Sequence, residues 1–513
     1  MDEDETVGSG RSSSEPVQHK TRRPHRKSRY GCTKCKARRI KCDEGTPRCS
    51  RCEKMNLSCQ YRKKKEADGW TEPPDYSWLA QTLDATEFEL LKHYLEHTSR
   101  DPSVGDQDKY TLQIGIPNLA CQCKPLMRSV LALAAVCKCC DIINQPPESV
   151  GEPDRGKVIQ LLSLAHRYHL ESLRDIQATL YETKNYDHVL ANAAMMGMYG
   201  SASHAARIWL AKTAPFGEDL QLFNLTMPGH PQWMSLFRAV RLAYAGLLRN
   251  SPQIGLSPAS SPGDVNTQYE YKVSARAPAE DASTFTITTH PLGPILAATV
   301  RSALARVDEK ALEIQAIAQA TNDHNHELQA CFTTLGIFSN IVNDSLLPGN
   351  HSTPRSTPAR DHVAPPIDFD NDPVGQLSEI SPWLRKYTAS ISSMIPSNVP
   401  RRAIMSFVHK VPTTYLNLIE DMIVLMETEP SALEMMPEPS IAHQFAVEIF
   451  AHWLVLVILL DNVWWIGGIG AWELERFVSV RKHVAWSMCL WNRDRDWWPE
   501  SMLEISRQFD KYR

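Results

Sequence analysis

The 513 residues contain no run of about twenty uncharged apolar residues, so no membrane-spanning helix is expected. The most apolar stretch, Ile449 to Leu460, contains His452 and lies between Glu448 and Asp461, which reads as a buried helix of a soluble protein. The first twenty residues are acidic and then polar, without the apolar core of a secretory signal. Cysteines in such a chain are expected as thiols or metal ligands, not as disulfides. Phosphate-binding loops, metalloprotease motifs and nucleophile elbows are missing, and the histidines are scattered. No catalytic constellation emerges, and the chain is not expected to be an enzyme. Alternating strand patterns are rare, which points to a mainly α protein.

The net charge of −4 hides an asymmetry. Residues 20 to 65 hold 18 Lys or Arg against Asp43, Glu44 and Glu53, about +15, so everything after residue 65 carries about −15. A basic block of this density on an acidic protein implies a polyanionic partner. Hydrophobic residues make up 42% of the chain, enough for a sizeable core over most of the length.

Six of the 13 cysteines fall within 28 residues as one unit written twice: Cys32, Cys35 and Cys42, then Cys49, Cys52 and Cys59, each C-x2-C-x6-C. Zinc takes four tetrahedral ligands, whereas each half offers three thiolates. Two zinc ions on six sulfurs require two sulfurs to bridge. One zinc on four thiolates would leave two thiols over and would not account for the equal halves. A segment of about 30 residues has almost no core of its own, so metal binding and folding are coupled. The scaffold is duplicated, but the charge between the second and third cysteines is not. Lys36, Arg38, Arg39 and Lys41 stand in the first half, where the second has Glu53, Met55, Asn56 and Ser58; Ile40 and Leu57 are apolar in both. Arginine is the side chain that best makes paired hydrogen bonds to guanine in the major groove. Six thiolates and two zinc ions leave a residual negative charge that nearby cations balance.

Residues 32–59 resemble the fungal binuclear zinc cluster (Zn2Cys6) transcription factors in the cysteine spacing, the Arg38-Arg39-Ile40-Lys41-Cys42-Asp43 run and Pro47. The resemblance implies Cys32 and Cys49 as bridging ligands, with Cys35 and Cys42 completing one zinc site and Cys52 and Cys59 the other. It also implies base contacts from Arg38 and Arg39, and phosphate contacts from Lys36 and Lys41. The implied protein is a nuclear, sequence-specific binder of double-stranded DNA that acts on RNA polymerase II transcription through the transcription machinery. A zinc-dependent protein or RNA interaction module is the alternative, and the Arg38-Arg39 asymmetry disfavours it. The basic flanks, Arg22 to Arg29 and Arg62 to Lys65, suit nuclear import and nonspecific phosphate contacts.

The expected organisation is a basic N-terminal arm (1–30), the zinc cluster with two short helices (31–61), a linker (62–77) and a large all-α regulatory domain (78–513). Ser- and Pro-rich stretches near 251–290 and 346–400 read as flexible insertions. Helical patterning is strongest over 125–143, 157–180, 233–247, 296–343, 402–427 and 441–491. The large region resembles the regulatory domain of the same family, in the branch of sterol uptake control regulators. The resemblance rests on Phe88 to Tyr94, Ile116-Pro117, Leu131 to Ala135, Ala165-His166 with Tyr168-His169, and Trp464 to Gly467. It implies an effector domain that takes a hydrophobic small molecule. The family often forms homodimers through a coiled coil after the cluster, but residues 66–100 show no sustained heptads. Cys121, Cys123, Cys137, Cys139 and Cys140 read as buried small hydrophobes.

Overall fold

A computed structural model describes residues 32–38, 40, 42–43, 48–59, 83–100, 106–144, 152–179, 186–213, 232–249, 290–320, 325–346, 379–394, 399–426, 439–483 and 496–511. The arm, both basic flanks and residues 251–289 lie outside them. The chain divides into two compact units, Met1–Asp75 and Tyr76–Arg513. No strand occurs among the described residues.

The first unit contains helices α1 (Thr33–Ala37) and α2 (Ser50–Lys54). Five-residue helices do not persist alone in water. Here each one starts on a cysteine whose sulfur accepts from a backbone N–H of the first turn, so the helices and the sulfur cluster are parts of one structure.

The second unit opens with α3 (Ala85–Glu96). Its capping box is complete: Glu87 N–H donates to Asp84 Oδ1 at 2.8 Å, and Asp84 N–H donates to Glu87 Oε2 at 3.1 Å. After α4 (Asp106–Tyr110), a π-helical turn over Thr111–Gly115 leads into α5 (Ile116–Ala120). Four long helices follow: α6 (Lys124–Ile143), α7 (Glu152–Thr179), α8 (Tyr186–Lys212) and α9 (Gln232–Arg249). Helix α6 packs against α3, α7 and α8, while α8 packs on α9. The rest comprises α10 (Gly293–Ala320), α11 (His326–Leu346), α12 (Pro382–Ile391), α13 (Pro400–Lys410), α14 (Thr413–Met426), α15 (Ile441–Ile458), α16 (Ile469–His483) and α17 (Trp498–Lys511).

Helix α15 touches α10, α11, α13, α14, α16 and α17, so it is apolar on every side, as a central helix must be. By length and composition it could cross a membrane, yet 89% of it is buried inside the unit. Trp453 is fully buried, stacks on Phe407 at 4.8 Å, and donates its indole N–H to the Ile404 carbonyl at 2.9 Å. The polar residues of α15 are satisfied internally. Glu448, 1% exposed, accepts from Lys310 Nζ at 3.1 Å and Trp497 Nε1 at 3.0 Å. His452 Nδ1 donates to the Glu448 carbonyl at 2.7 Å.

The turn from α15 to α16 depends on glycine. Gly468 has φ +80° and donates its N–H to Asp461 Oδ1 at 3.0 Å. A Cβ at Gly470 would lie 2.7 Å from the Ile458 nitrogen, so only glycine allows the two backbones to approach so closely.

The structure corrects the insertion expected over 346–400. Residues 382–391 form α12, with Pro382 at its start and Leu384, Tyr387 and Thr388 buried. Its Trp383 ring occupies the space that a side chain at Gly115 would need. Residues 347–378 lie outside the described set. The pattern over 296–343 divides into α10 and α11, and that over 402–427 into α13 and α14.

Candidate metal centre and nucleic-acid interface

The two halves of the first unit repeat contact by contact. Cys32 and Cys49 are the N-caps of α1 and α2, accepting at sulfur from Cys35 N–H and Cys52 N–H, both at 3.4 Å. Cys32 N–H donates to Cys42 Sγ at 3.4 Å, and Cys49 N–H to Cys59 Sγ at 3.3 Å. Ile40 N–H closes on the Cys35 carbonyl at 3.1 Å and Leu57 N–H on the Cys52 carbonyl at 2.9 Å. Both side chains pack against the sulfurs, which explains why those two positions are apolar.

Ligand-forming atoms gather in two sets of four, Cys32, Cys35, Cys42 and Cys49, and Cys32, Cys49, Cys52 and Cys59. Within each set all atoms lie within 4.8 Å of one another. Cys32 and Cys49 belong to both sets and are the most deeply buried, at 0% exposure. Sulfur separations are 3.8 Å for Cys32–Cys49, 3.6 Å for Cys32–Cys52 and 3.7 Å for Cys35–Cys49. A tetrahedral zinc site with Zn–S bonds of about 2.3 Å has sulfur–sulfur edges of about 3.8 Å. The donor set therefore fits two zinc ions sharing two sulfurs. Burial, then the neighbouring sulfurs, push the Cys35 thiol up to about 12, and burial likewise raises Cys49 and Cys52. The N–H of Cys49 pulls Cys59 down. Sulfurs this crowded do not ionise together without cations, so the centre requires metal to hold thiolates.

Lys36 and Arg38 are exposed, at the end of α1 and just beyond it. Arg38 Nη1 lies 3.1 Å from Met55 Sδ, across from the end of α2. Arg39, Lys41 and Pro47 lie outside the described residues. The sequence comparison between second and third cysteines overlooked a basic pair inside each C-x2-C: Lys34 and Arg51 occupy equivalent positions and both are exposed, as are Arg48 and Lys54. Reading the halves from the first cysteine would have found this pair. Asp43 was also missed as a structural group. Its Oδ2 accepts from Ser50 N–H at 3.0 Å and from Ser50 Oγ at 2.6 Å, which lowers its pKa and ties the first half to α2.

In the second unit, Cys123, Cys137, Cys139 and Cys140 are buried, and Cys121 is half-buried. Burial raises Cys139 to about 12 and also raises Cys140 well above the ordinary thiol value, as for unreactive core thiols. His93, Cys137 and Asp141 bring ligand-type atoms within 4.8 Å, with His93 Nε2 already 2.8 Å from Asp141 Oδ2.

Residues 30–68 match the fungal Zn(2)-Cys(6) binuclear cluster domain, and residues 89–211 match the fungal specific transcription factor domain. Over these two segments the chain is similar to the fungal Zn2Cys6 transcription factors. It is similar to the Zn(2)-C6 fungal-type transcription factor afumD of Aspergillus fumigatus, 32% identical over 142 residues, 25% of this chain and 36% of that one. It is also similar to sterol uptake control protein 2 of Saccharomyces cerevisiae, 58% identical over 40 residues, 8% of this chain and 4% of that one. With transcriptional regulatory protein pro1 of Neurospora crassa it shares 51% identity over 39 residues, 8% of this chain and 6% of that one. The aligned parts thus span about a third or less of these relatives' lengths. No solved structure matches. A Zn2Cys6 domain takes two zinc ions, in keeping with the paired sulfur sets.

Proposed function

We propose that this Zn2Cys6 protein is a nuclear, zinc-dependent regulator that binds specific double-stranded DNA sequences and controls RNA polymerase II transcription. The observation that carries the reading is the pair of four-sulfur sets sharing Cys32 and Cys49. Zinc on Cys32, Cys35, Cys42 and Cys49, and on Cys32, Cys49, Cys52 and Cys59, holds α1 rigid enough to present its end to base edges. Arg38 and Arg39 read bases, while Lys36 and Lys41 meet phosphates. Lys34 and Arg51 add to the positive field that draws the unit to DNA. The second unit acts as the regulatory domain, and a hydrophobic effector and homodimer formation belong to the same proposal. No catalytic step is assigned to the chain.

Selection of bound sequences from random duplex DNA tests the reading. A defined consensus is expected. Arg38→Ala should then cost roughly 1–3 kcal/mol at one position of the site, while Lys36→Ala should weaken all duplexes alike and flatten the salt dependence. A zinc-loaded chain without sequence preference would overturn it.

A further inference from the structure

Three largely buried arginines of the second unit meet carboxylates: Arg402 pairs with Asp108, Arg128 with Glu171 and Asp175, Arg481 with Glu500. Arg207 on α8 does not. Its Nε is buried without a hydrogen-bond partner, and among the described residues it forms no ion pair. Burial disfavours its charge, and the group that supports that charge is Tyr199, whose phenol oxygen is buried beside Arg207 and Ser203 without a well-aligned hydrogen bond to either. Tyr199 and Arg207 lie eight residues apart, with Ser203 between them, on one stripe of α8. Facing them from α7 are His166 and His169. The His169 ring stacks on Tyr199 at 4.3 Å, and both histidines feel the charge of Arg207. Burial and neighbouring positive charge bring His169 down to about 4, so it is a neutral N–H donor near neutral pH. Tyr199 is 2% exposed, whereas His166 and Arg207 are half-buried.

A half-buried guanidinium with no carboxylate opposite and an orphaned Nε, beside a buried phenol without a well-aligned hydrogen bond, is costly unless something satisfies it. We propose that the α7–α8 seam binds an oxyanion, the carboxylate or phosphate group of a small molecule, with Arg207 as its charge partner and Tyr199 as a hydrogen-bond donor. The site goes beyond the DNA-binding reading and uses no residue of the zinc cluster.

Thermal unfolding of the zinc-loaded full chain tests this, with 10 mM sodium phosphate or 10 mM sodium succinate against sodium chloride of equal ionic strength. One anion is expected to raise the unfolding temperature by about 2 °C or more beyond chloride. Phosphate alone marks a phosphate ligand, and succinate alone a carboxylate. Arg207→Met should abolish the gain while unfolding, without anion, at or above the parent temperature, because it removes an unbalanced buried charge. Tyr199→Phe, which keeps the packing, should reduce the gain at least by half. No gain from either anion in the parent, an equal gain in Arg207→Met, or an undiminished gain in Tyr199→Phe overturns the proposal.

Discussion

Replacing Cys49 by alanine should empty both metal sites, whereas replacing Cys59 should empty one. Cys49 belongs to both four-sulfur sets, so its loss leaves three ligands in each. Cys59 belongs to one set, and its loss leaves Cys32, Cys35, Cys42 and Cys49 intact. A structural zinc site contributes on the order of 10–16 kcal/mol of apparent binding free energy near neutral pH. The apolar groups on the cluster, Ile40 and Leu57, offer only about 1.5–3 kcal/mol each even when fully buried, and both are only partly so. The packing cannot hold α1 and α2 once the metal goes. The assay is chelator-resistant zinc per chain, read by mass spectrometry after brief exposure to EDTA. About two zinc ions are expected for the parent, about one for Cys59→Ala and close to none for Cys49→Ala. DNA binding should vanish in Cys49→Ala. Equal zinc retention by the two variants would refute the shared-sulfur argument.

Glu448→Ala should destabilise the second unit by about 3–5 kcal/mol in urea unfolding, because it removes the carboxylate that Lys310 and the Trp497 N–H share in the core. Adding Lys310→Met should restore much of that loss but not all, since the indole N–H stays unpaired. Acid should weaken the second unit through His409, held near 3 by burial and then by Arg241 and Arg238, and through His169, near 4. Both folded values lie below the ordinary 6.5, so the unfolded chain binds more protons as pH falls below 6.5. Stability is whole above that pH and drops by about 1.4 kcal/mol per pH unit per histidine down towards 4. His409→Leu should remove about that slope from urea unfolding measured between pH 6.5 and 4.5. Gly470→Ala should cost about 1–3 kcal/mol or more by the same assay, since its methyl group meets the backbone of α15.

The cluster was legible because its chemistry fixes residue type and spacing together. Six sulfurs at C-x2-C-x6-C leave few other arrangements, and the repeated contacts at Cys32 and Cys49 follow that repeat. The periodic helices, such as Trp233 to Leu247 in α9, were legible because one face is apolar. Helix α12 was not. Its ten residues sit among Ser and Pro, and it exists because Leu384 and Tyr387 find the core and Trp383 finds Gly115, a long-range partner that local composition does not reveal. Helix α17 also escaped notice, because the charged approach Arg493 to Asp496 obscures a helix that buries Trp498, Met502 and Leu503. The unbalanced charge at Arg207 was invisible for a different reason. A sequence gives the number of arginines but not which of them lack a carboxylate opposite.

The central place of α15 bears on how the chain is made. Once residue 440 has left the ribosome, α6 to α9 are free to pack on one another, whereas α10, α11, α13 and α14 are out before their common partner. Until Ile441–Ile458 emerges, the faces destined for it stay uncovered. In the cell, this unfinished chain would be a client for chaperones, and the emergence of α15 is the step at which folding overtakes aggregation.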